Sequence, residues 1–349
     1  MEKVQGIKIR NRMTIDLGIT HPVIMAPMFL VSNESMMQSA IRSGIMGVFP
    51  SLNFRKPGEL ESLIERLHQY RRDHPEFGGS FGVNLITQNT NPLYKEHLEI
   101  CMRLKVPFYI TSLGYAGDVI HRAHEYGGKV YCDVVNHRHA EKSMEGGCDG
   151  FIAVGAGAGG HAGPLPLHTF IPSLKRAYPD MPVIAAGGIA DGYTMLSMMA
   201  AGAEGVSIGT RFIASHEAQV SVEYKNAIID AGIEDIVMTT RISGTPCAII
   251  NTEYARKIGY KQNWLERVLN KNKRTKKYFK MITQLRGVKK LEKAVRPGSY
   301  NSLWCAGQSV EFIDEIASCD QIVDDLLKEM DLVIKKLNNQ FVNYVNQEV

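Results

Sequence analysis

Between residue 22 and about residue 230 the chain alternates short apolar runs with longer stretches whose apolar positions recur at helical spacing. The runs are Pro22 to Met28, Ile45 to Ser51, Ser80 to Ile86, Pro107 to Leu113, Lys129 to Val134, Gly150 to Ala156, Pro182 to Gly188 and Gly205 to Phe212. Nearly continuous apolar runs of this length are expected of parallel strands covered on both faces. In the stretches between them, Leu60, Leu63, Ile64 and Leu67 make one stripe opposite a charged face, as in a helix lying on a sheet. Asp191 stands where an N-cap belongs, and Gly202 where a helix stops. Eight strand-like runs, each followed by a helical pattern, predict an α/β fold, a (β/α)8 TIM barrel rather than a doubly wound open sheet.

Past residue 235 the texture changes. A strongly basic, helix-patterned stretch from Arg256 to Tyr300 ends at Pro297-Gly298 and reads as a helical subdomain inserted after strand 8. From Glu311 to Val345, Ile313, Ile316, Val323, Leu326, Leu327, Met330 and Leu337 fall at helical spacing and predict a C-terminal helix packed on the barrel or on a partner subunit. The expected organisation is a barrel over residues 1–235, a basic helical subdomain over 236–300, and a final segment over 301–349. The apolar C-terminal stripe makes a homodimer an expectation.

Composition narrows the class without naming it. The 349 residues are 44% hydrophobic and 22% charged, ordinary for a globular chain, and the net charge of +4 is too mild to argue for nucleic acid. The six cysteines form neither a C-x-x-C pair nor a His/Cys ligand cluster, so neither a disulfide framework nor a metal site is expected. No apolar stretch reaches the about 18 residues that a membrane span needs, and the polar first residues lack the core of a signal peptide. A cytoplasmic protein that keeps its thiols reduced is the expectation.

The glycines point to chemistry. In such barrels the active site lies where the strands end, with phosphate bound after strands 7 and 8. Here strand 7 ends in Gly187-Gly188 and strand 8 in Gly209-Thr210, behind Ser207. Glycine lets amide groups approach an anion, and the following helix N-terminus favours negative charge. Tight turns that hold no ligand would show the same residues. Strand 6 ends in a glycine-rich segment carrying His161, strand 1 in Ala26-Pro27-Met28, and strand 3 carries Asn84, an amide that both donates and accepts. Asp133 either faces the mouth or caps the helix after strand 5, and capping is the favoured reading. A phosphate site, apolar backbone and a polar amide around one mouth suit a phosphorylated planar cofactor, and FMN fits best. A sugar phosphate calls for more carboxylates and lysines at the strand ends.

With these segments the chain resembles the nitronate monooxygenases, formerly 2-nitropropane dioxygenases. The resemblance rests on "APM" at 26–28, "GVNL" at 82–85, "GAGGHAG" at 157–163, "AAGGIADG" at 185–192, "SIGTRF" at 207–212 and "WCAGQS" at 304–309. It also extends to the related FMN-dependent enoyl-acyl-carrier-protein reductases. IMP dehydrogenases share part of the pattern, but they carry a catalytic cysteine loop after strand 6, where this chain has "GGHAG". The resemblance implies non-covalent FMN. Ala26, Pro27 and Met28 would lie along the ring, Asn84 would hydrogen-bond to it, and Gly159 and Gly160 would approach its face. Gly187, Gly188, Ser207, Gly209 and Thr210 would hold the phosphate, and Gln308 would return to the pocket. His161 matches the family's active-site histidine. Many members have Gln and Glu where this chain has Val154 and Gly157, so strand 6 would contact FMN through backbone alone.

Three functions follow. In the first, His161 is the base in the FMN-dependent oxidation of nitronates or nitroalkanes by dioxygen, with no nicotinamide. In the second, NADH and FMN serve an enoyl thioester reductase whose acidic carrier-protein partner meets the basic 256–296 segment. Ordinary solvated surface is the favoured reading of that segment. A flavin-binding protein without turnover is the third.

Overall fold

The computed structural model describes residues 9–88, 91–242, 245–261 and 303–345. Strands β1 (Val23–Met25), β2 (Met46–Pro50), β3 (Ser80–Ile86), β4 (Phe108–Ser112), β5 (Lys129–Val134), β6 (Gly150–Val154), β7 (Val183–Ala186) and β8 (Gly205–Ile208) form a closed barrel in sequential order. Every pairing is parallel, and β8 closes on β1 with Ser207 opposite Ile24. The expected barrel is present, and each strand lies within one of the apolar runs.

The two faces of the strands divide the core. Inward side chains Ile24, Met46, Val48, Phe108, Ile110, Tyr131, Ile152 and Ile184 fill the barrel. Met13 and Leu17, on a short helix Arg12–Leu17, and Ile19 join this interior cluster and close its floor. That plug was not foreseen in the sequence. Outward residues such as Phe49, Val83, Tyr109, Val130, Phe151 and Val206 pack under the surrounding helices, including the Leu60, Leu63, Ile64 and Leu67 stripe of helix Glu59–Asp73. With both faces buried, the strands have no reason to alternate polar and apolar residues.

Asp191 caps the helix Gly192–Ala200: its carboxylate accepts from the Thr194 amide at 2.7 Å, completing a capping box. Asp191→Ala is expected to cost about 1 kcal/mol, read as a lower thermal midpoint with the fold retained.

The chain departs from the sequence reading after β8. Within the stretch expected to be helical, β9 (Ile236–Thr239) and β10 (Cys247–Ile250) form a two-stranded antiparallel sheet, with a helix Glu253–Ile258 after it. Ile236, Val237, Ile249 and Ile250 are β-branched, which suits strands more than helices. Most of the expected basic subdomain, residues 262–300, lies outside the described residues.

The C-terminal helix Cys319–Val345 packs on the barrel, against helices Gly192–Ala200 and Glu34–Arg42. It buries Ile322, Val323, Leu326, Leu327, Met330 and Val333. Gly192 makes the approach close: its amide donates to Glu329 at 3.0 Å, and a Cβ there would strike the Met330 backbone. Ile313 and Ile316 precede this helix rather than belonging to it, and Leu337 is exposed. Among the described residues no helix is long and apolar enough to cross a membrane.

Candidate active site at the carboxyl ends of the strands

The glycine segment after β6 folds back on its own strand. The Gly155 amide donates to Ala186 of β7 and the Gly163 amide returns to the Gly155 carbonyl. Gly163 fits against the Val154 carbonyl oxygen, with which a Cβ would clash. Between these points the segment is gripped from two sides. Gly160, at φ +66°, exchanges backbone hydrogen bonds with Ala248 of β10 at 2.7 and 3.1 Å. On the other side, the Gln308 amide donates to the Gly157 carbonyl at 3.1 Å. A Cβ on Gly159 would sit 2.7 Å from the Gly307 nitrogen, and one on Gly307 would sit 2.5 Å from the Gly157 oxygen. These glycines therefore allow the chain to pack backbone on backbone. His161 follows the Gly160 bridge immediately, with an exposed side chain on a fixed backbone.

The segment Leu303 to Gln308 packs against the glycine segment after β6 and is held by contacts absent from the motif. Tyr224 stacks on Trp304 with ring centroids 5.4 Å apart and donates its hydroxyl proton to the Cys305 carbonyl at 2.5 Å. Ile249 pairs antiparallel with Cys305, and the Gly307 amide donates to Thr210 Oγ1 at 3.0 Å. Gln308 Oε1 lies 3.3 Å from where a Cβ on Gly157 would stand. The amide at 308 thus borders the space that a glutamate at 157 would need.

At the end of β7, Gly187 and Gly188 adopt φ of +120° and +74°, and a Cβ on Gly187 would clash with Ala158. The amides of Gly187, Gly188 and Ile189 make no hydrogen bond to another described residue. At the end of β8, Ser207 and Thr210 are buried, and Gly209 precedes a short helical turn Thr210–Ile213. The Cβ position of Gly209 has only ordinary contacts, with Ala26 at 3.7 Å and Met28 at 3.8 Å. The structure thus brings the first-strand loop and the β8 end together. Asn53, which the sequence did not single out, braces that loop: it accepts from the Leu30 amide at 2.8 Å and donates to the Met28 carbonyl at 3.2 Å.

Across the mouth stands a polar chain on β3, β4 and β5. Asn84 Nδ2 donates to the Ile110 carbonyl at 3.1 Å and to Ser112 Oγ at 2.8 Å. Ser112 in turn donates to Asp133 Oδ2 at 2.5 Å. Asp133 therefore faces the interior, and the cap of the following helix is Asn136, which accepts from the His139 amide at 2.9 Å. The expectation that Asp133 caps is corrected: it shares the inward parity of Tyr131. It is half-buried by surface area and deeply enclosed by protein. Burial raises its carboxyl to about 6 against the opposing pull of the Ser112 hydrogen bond. The folded state then binds the proton more tightly than the unfolded one, so ionising Asp133 costs stability as pH rises from about 4 to about 6.

These residues fit a phosphorylated flavin. Amides with no hydrogen bond to another described residue and buried hydroxyls line the β7 and β8 ends, apolar Ala26 and Met28 adjoin them, and a fixed amide stands opposite. Ser207, Thr210 and the Gly187-Gly188 amides would hold the phosphate, and Asn84 would meet the ring. Among the described residues no group of three or more His, Cys, Asp or Glu could hold a metal ion.

Such a mouth on a closed parallel barrel belongs to the flavin-type oxidoreductases. The family model for nitronate monooxygenase matches residues 60–329, and the chain belongs to the nitronate monooxygenase family. Among curated relatives, (3aS,4S,5R,7aS)-5-hydroxy-7a-methyl-1-oxo-octahydro-1H-indene-4-carboxyl-CoA dehydrogenase from Mycobacterium tuberculosis is 30% identical over 254 residues, 72% of this chain and 69% of its own. A probable nitronate monooxygenase from Staphylococcus aureus is 27% identical over 289 residues, 70% of this chain and 79% of its own. Among solved structures, FabK from Thermotoga maritima is similar with a TM-score of 0.81 at 32% identity, covering 95% of this chain and all of its own. The chain is therefore a flavin-type oxidoreductase by family, and its substrate is a separate question.

Proposed function

We propose that the protein binds FMN non-covalently at the barrel mouth and oxidises nitronates or nitroalkanes with dioxygen, His161 serving as the active-site base. The observation that carries this reading is the placement of His161, exposed beside the mouth on backbone fixed by the Ala248 bridge. An imidazole accepts and returns a proton near neutral pH. It removes the proton from the carbon beside the nitro group, or holds the nitronate through its charged form. Bound FMN supplies the electron acceptor for the substrate and the route to dioxygen. The Val154 side chain is apolar and partly buried against the interior cluster, so it presents no hydrogen-bonding group, and only the strand-6 backbone is left to meet either.

A second reading is favoured by the likeness to FabK and to a dehydrogenase whose name specifies a carboxyl-CoA substrate. In this reading the protein is an NADH- and FMN-dependent enoyl thioester reductase, with His161 assisting protonation or polarising the thioester carbonyl. An acidic carrier protein is then its partner.

One anaerobic experiment separates the two. Purified protein is mixed with a nitronate and, separately, with NADH, and the visible flavin absorbance is followed. Under the first reading the nitronate alone bleaches the flavin, and oxygen is consumed when air is admitted. Bleaching by NADH with indifference to nitronate would transfer the assignment to the reductase, with an enoyl thioester as the oxidant. A protein that takes up no FMN overturns both.

A further inference from the structure

We propose that Asp133, acting through Ser112, is the positioning residue that fixes Asn84 as a hydrogen-bond acceptor toward the flavin ring. The inference rests on the FMN reading and extends it to two residues outside the motif.

The argument is an inventory of donors. An asparagine amide has two N–H groups and one carbonyl oxygen, while a serine hydroxyl has one proton. The backbone carbonyl of Ile110 can only accept, so the end of the Asn84 side chain facing it is the nitrogen. The second N–H of Asn84 goes to Ser112 Oγ. That hydroxyl is free to accept because its own proton is committed to Asp133 at 2.5 Å. Both N–H groups of Asn84 are then spent, and Oδ1 is the polar atom left for a ligand. An acceptor in that place recognises a donor. The oxidised isoalloxazine ring carries one, the N–H between its two carbonyls.

Asp133 sets the direction of this chain. Without it, the Ser112 proton can turn toward the Asn84 nitrogen, where it opposes the N–H donated there and loosens the hold on the side chain. Backbone carbonyls and hydroxyls alone would leave the hydroxyl free to point either way. The carboxylate is an acceptor whose protonation is the exception at neutral pH, and it removes that freedom. Its surroundings agree with a role exerted through Ser112. Its register partner on β6 is Ile152, and the acceptor it offers to Ser112 is the interaction that opposes its burial. A carboxylate kept inside the barrel at that cost to its ionisation is poorly explained by packing alone.

The test uses FMN labelled with 15N, bound to the full-length protein, and reads the resonance of the ring N–H. In the wild type this proton is expected to be protected from exchange and shifted downfield relative to free FMN. In Asp133→Val and Ser112→Ala it should move toward the free value while FMN stays bound, and Asp133→Asn should fall between. Measuring two sites guards against one variant failing to fold. An unchanged resonance in both variants with FMN still bound overturns the inference. Wild-type protein that binds no FMN overturns the cofactor reading instead, which keeps the two failures apart.

Discussion

His161→Ala is expected to keep the bound flavin and its visible spectrum while turnover per bound flavin falls by about 100- to 10,000-fold, the usual worth of a positioned acid–base group. The imidazole is exposed, so deleting it removes no core packing. The backbone beneath it is held by Gly160 and Ala248, whose mutual hydrogen bonds do not depend on the side chain at 161. Cofactor binding and turnover should therefore separate in this variant. The check is steady-state turnover normalised to flavin content, with the absorbance spectrum recorded on the same sample. Loss of flavin with undiminished activity in the fraction that retains it would place His161 among the binding residues and remove it from the chemistry.

The second large effect belongs to Gly307. A Cβ there would stand 2.5 Å from the Gly157 oxygen, 2.6 Å from the Gly159 nitrogen and 3.0 Å from the Ala158 carbonyl carbon. All three are backbone atoms, which cannot swing aside as a side chain tip would. Gly307→Ala must push the return segment away from the glycine loop, at about 1–3 kcal/mol for an overpacked site. Ala158 in turn abuts Gly187, so the displacement reaches the end of β7, the proposed phosphate site. The variant is expected to purify depleted of FMN and to melt lower than the wild type. Gly160→Ala provides the comparison: nothing lies within 4 Å of its Cβ position, and its cost is the left-handed backbone alone. If Gly307→Ala keeps full flavin content and an unchanged melting point, close packing of these two segments is not what shapes the pocket.

The barrel was legible because burial on both faces writes itself into composition. Ser80–Ile86 and Lys129–Val134 stand out in the sequence with the bounds that they have in the fold. The need for glycine at the end of β7 was legible for a related reason, since Gly187 and Gly188 stand at positive φ where other residues are strained. Less was readable where a residue's meaning depends on a distant partner. The glycines at 157–160 suggest room for a flat ligand, yet Gly159 and Gly307 are small first because their two backbones touch. Asp133 could have been read correctly from parity, since Tyr131 faces inward two residues earlier, but an aspartate before a helix resembles a cap. Asn53 and Tyr224 carry no local pattern that announces a brace. The β9–β10 pair is short and follows a strand–helix rhythm that trains the eye toward helices.

The return of residues 303–308 to the mouth also fixes an order of events during synthesis. The barrel can close once Ile208 has emerged, because β8 then pairs with β1. The partners of Gly157 and Gly159 arrive with Gly307 and Gln308, about 100 residues later, an interval of about 5–20 s at common translation rates. For that time the nascent chain has all eight strands, but neither the segment that packs on Gly157 and Gly159 nor the C-terminal helix that packs against Gly192–Ala200. A chain halted within this window would carry the eight strands of the barrel without the backbone that grips Gly157 and Gly159 at its mouth.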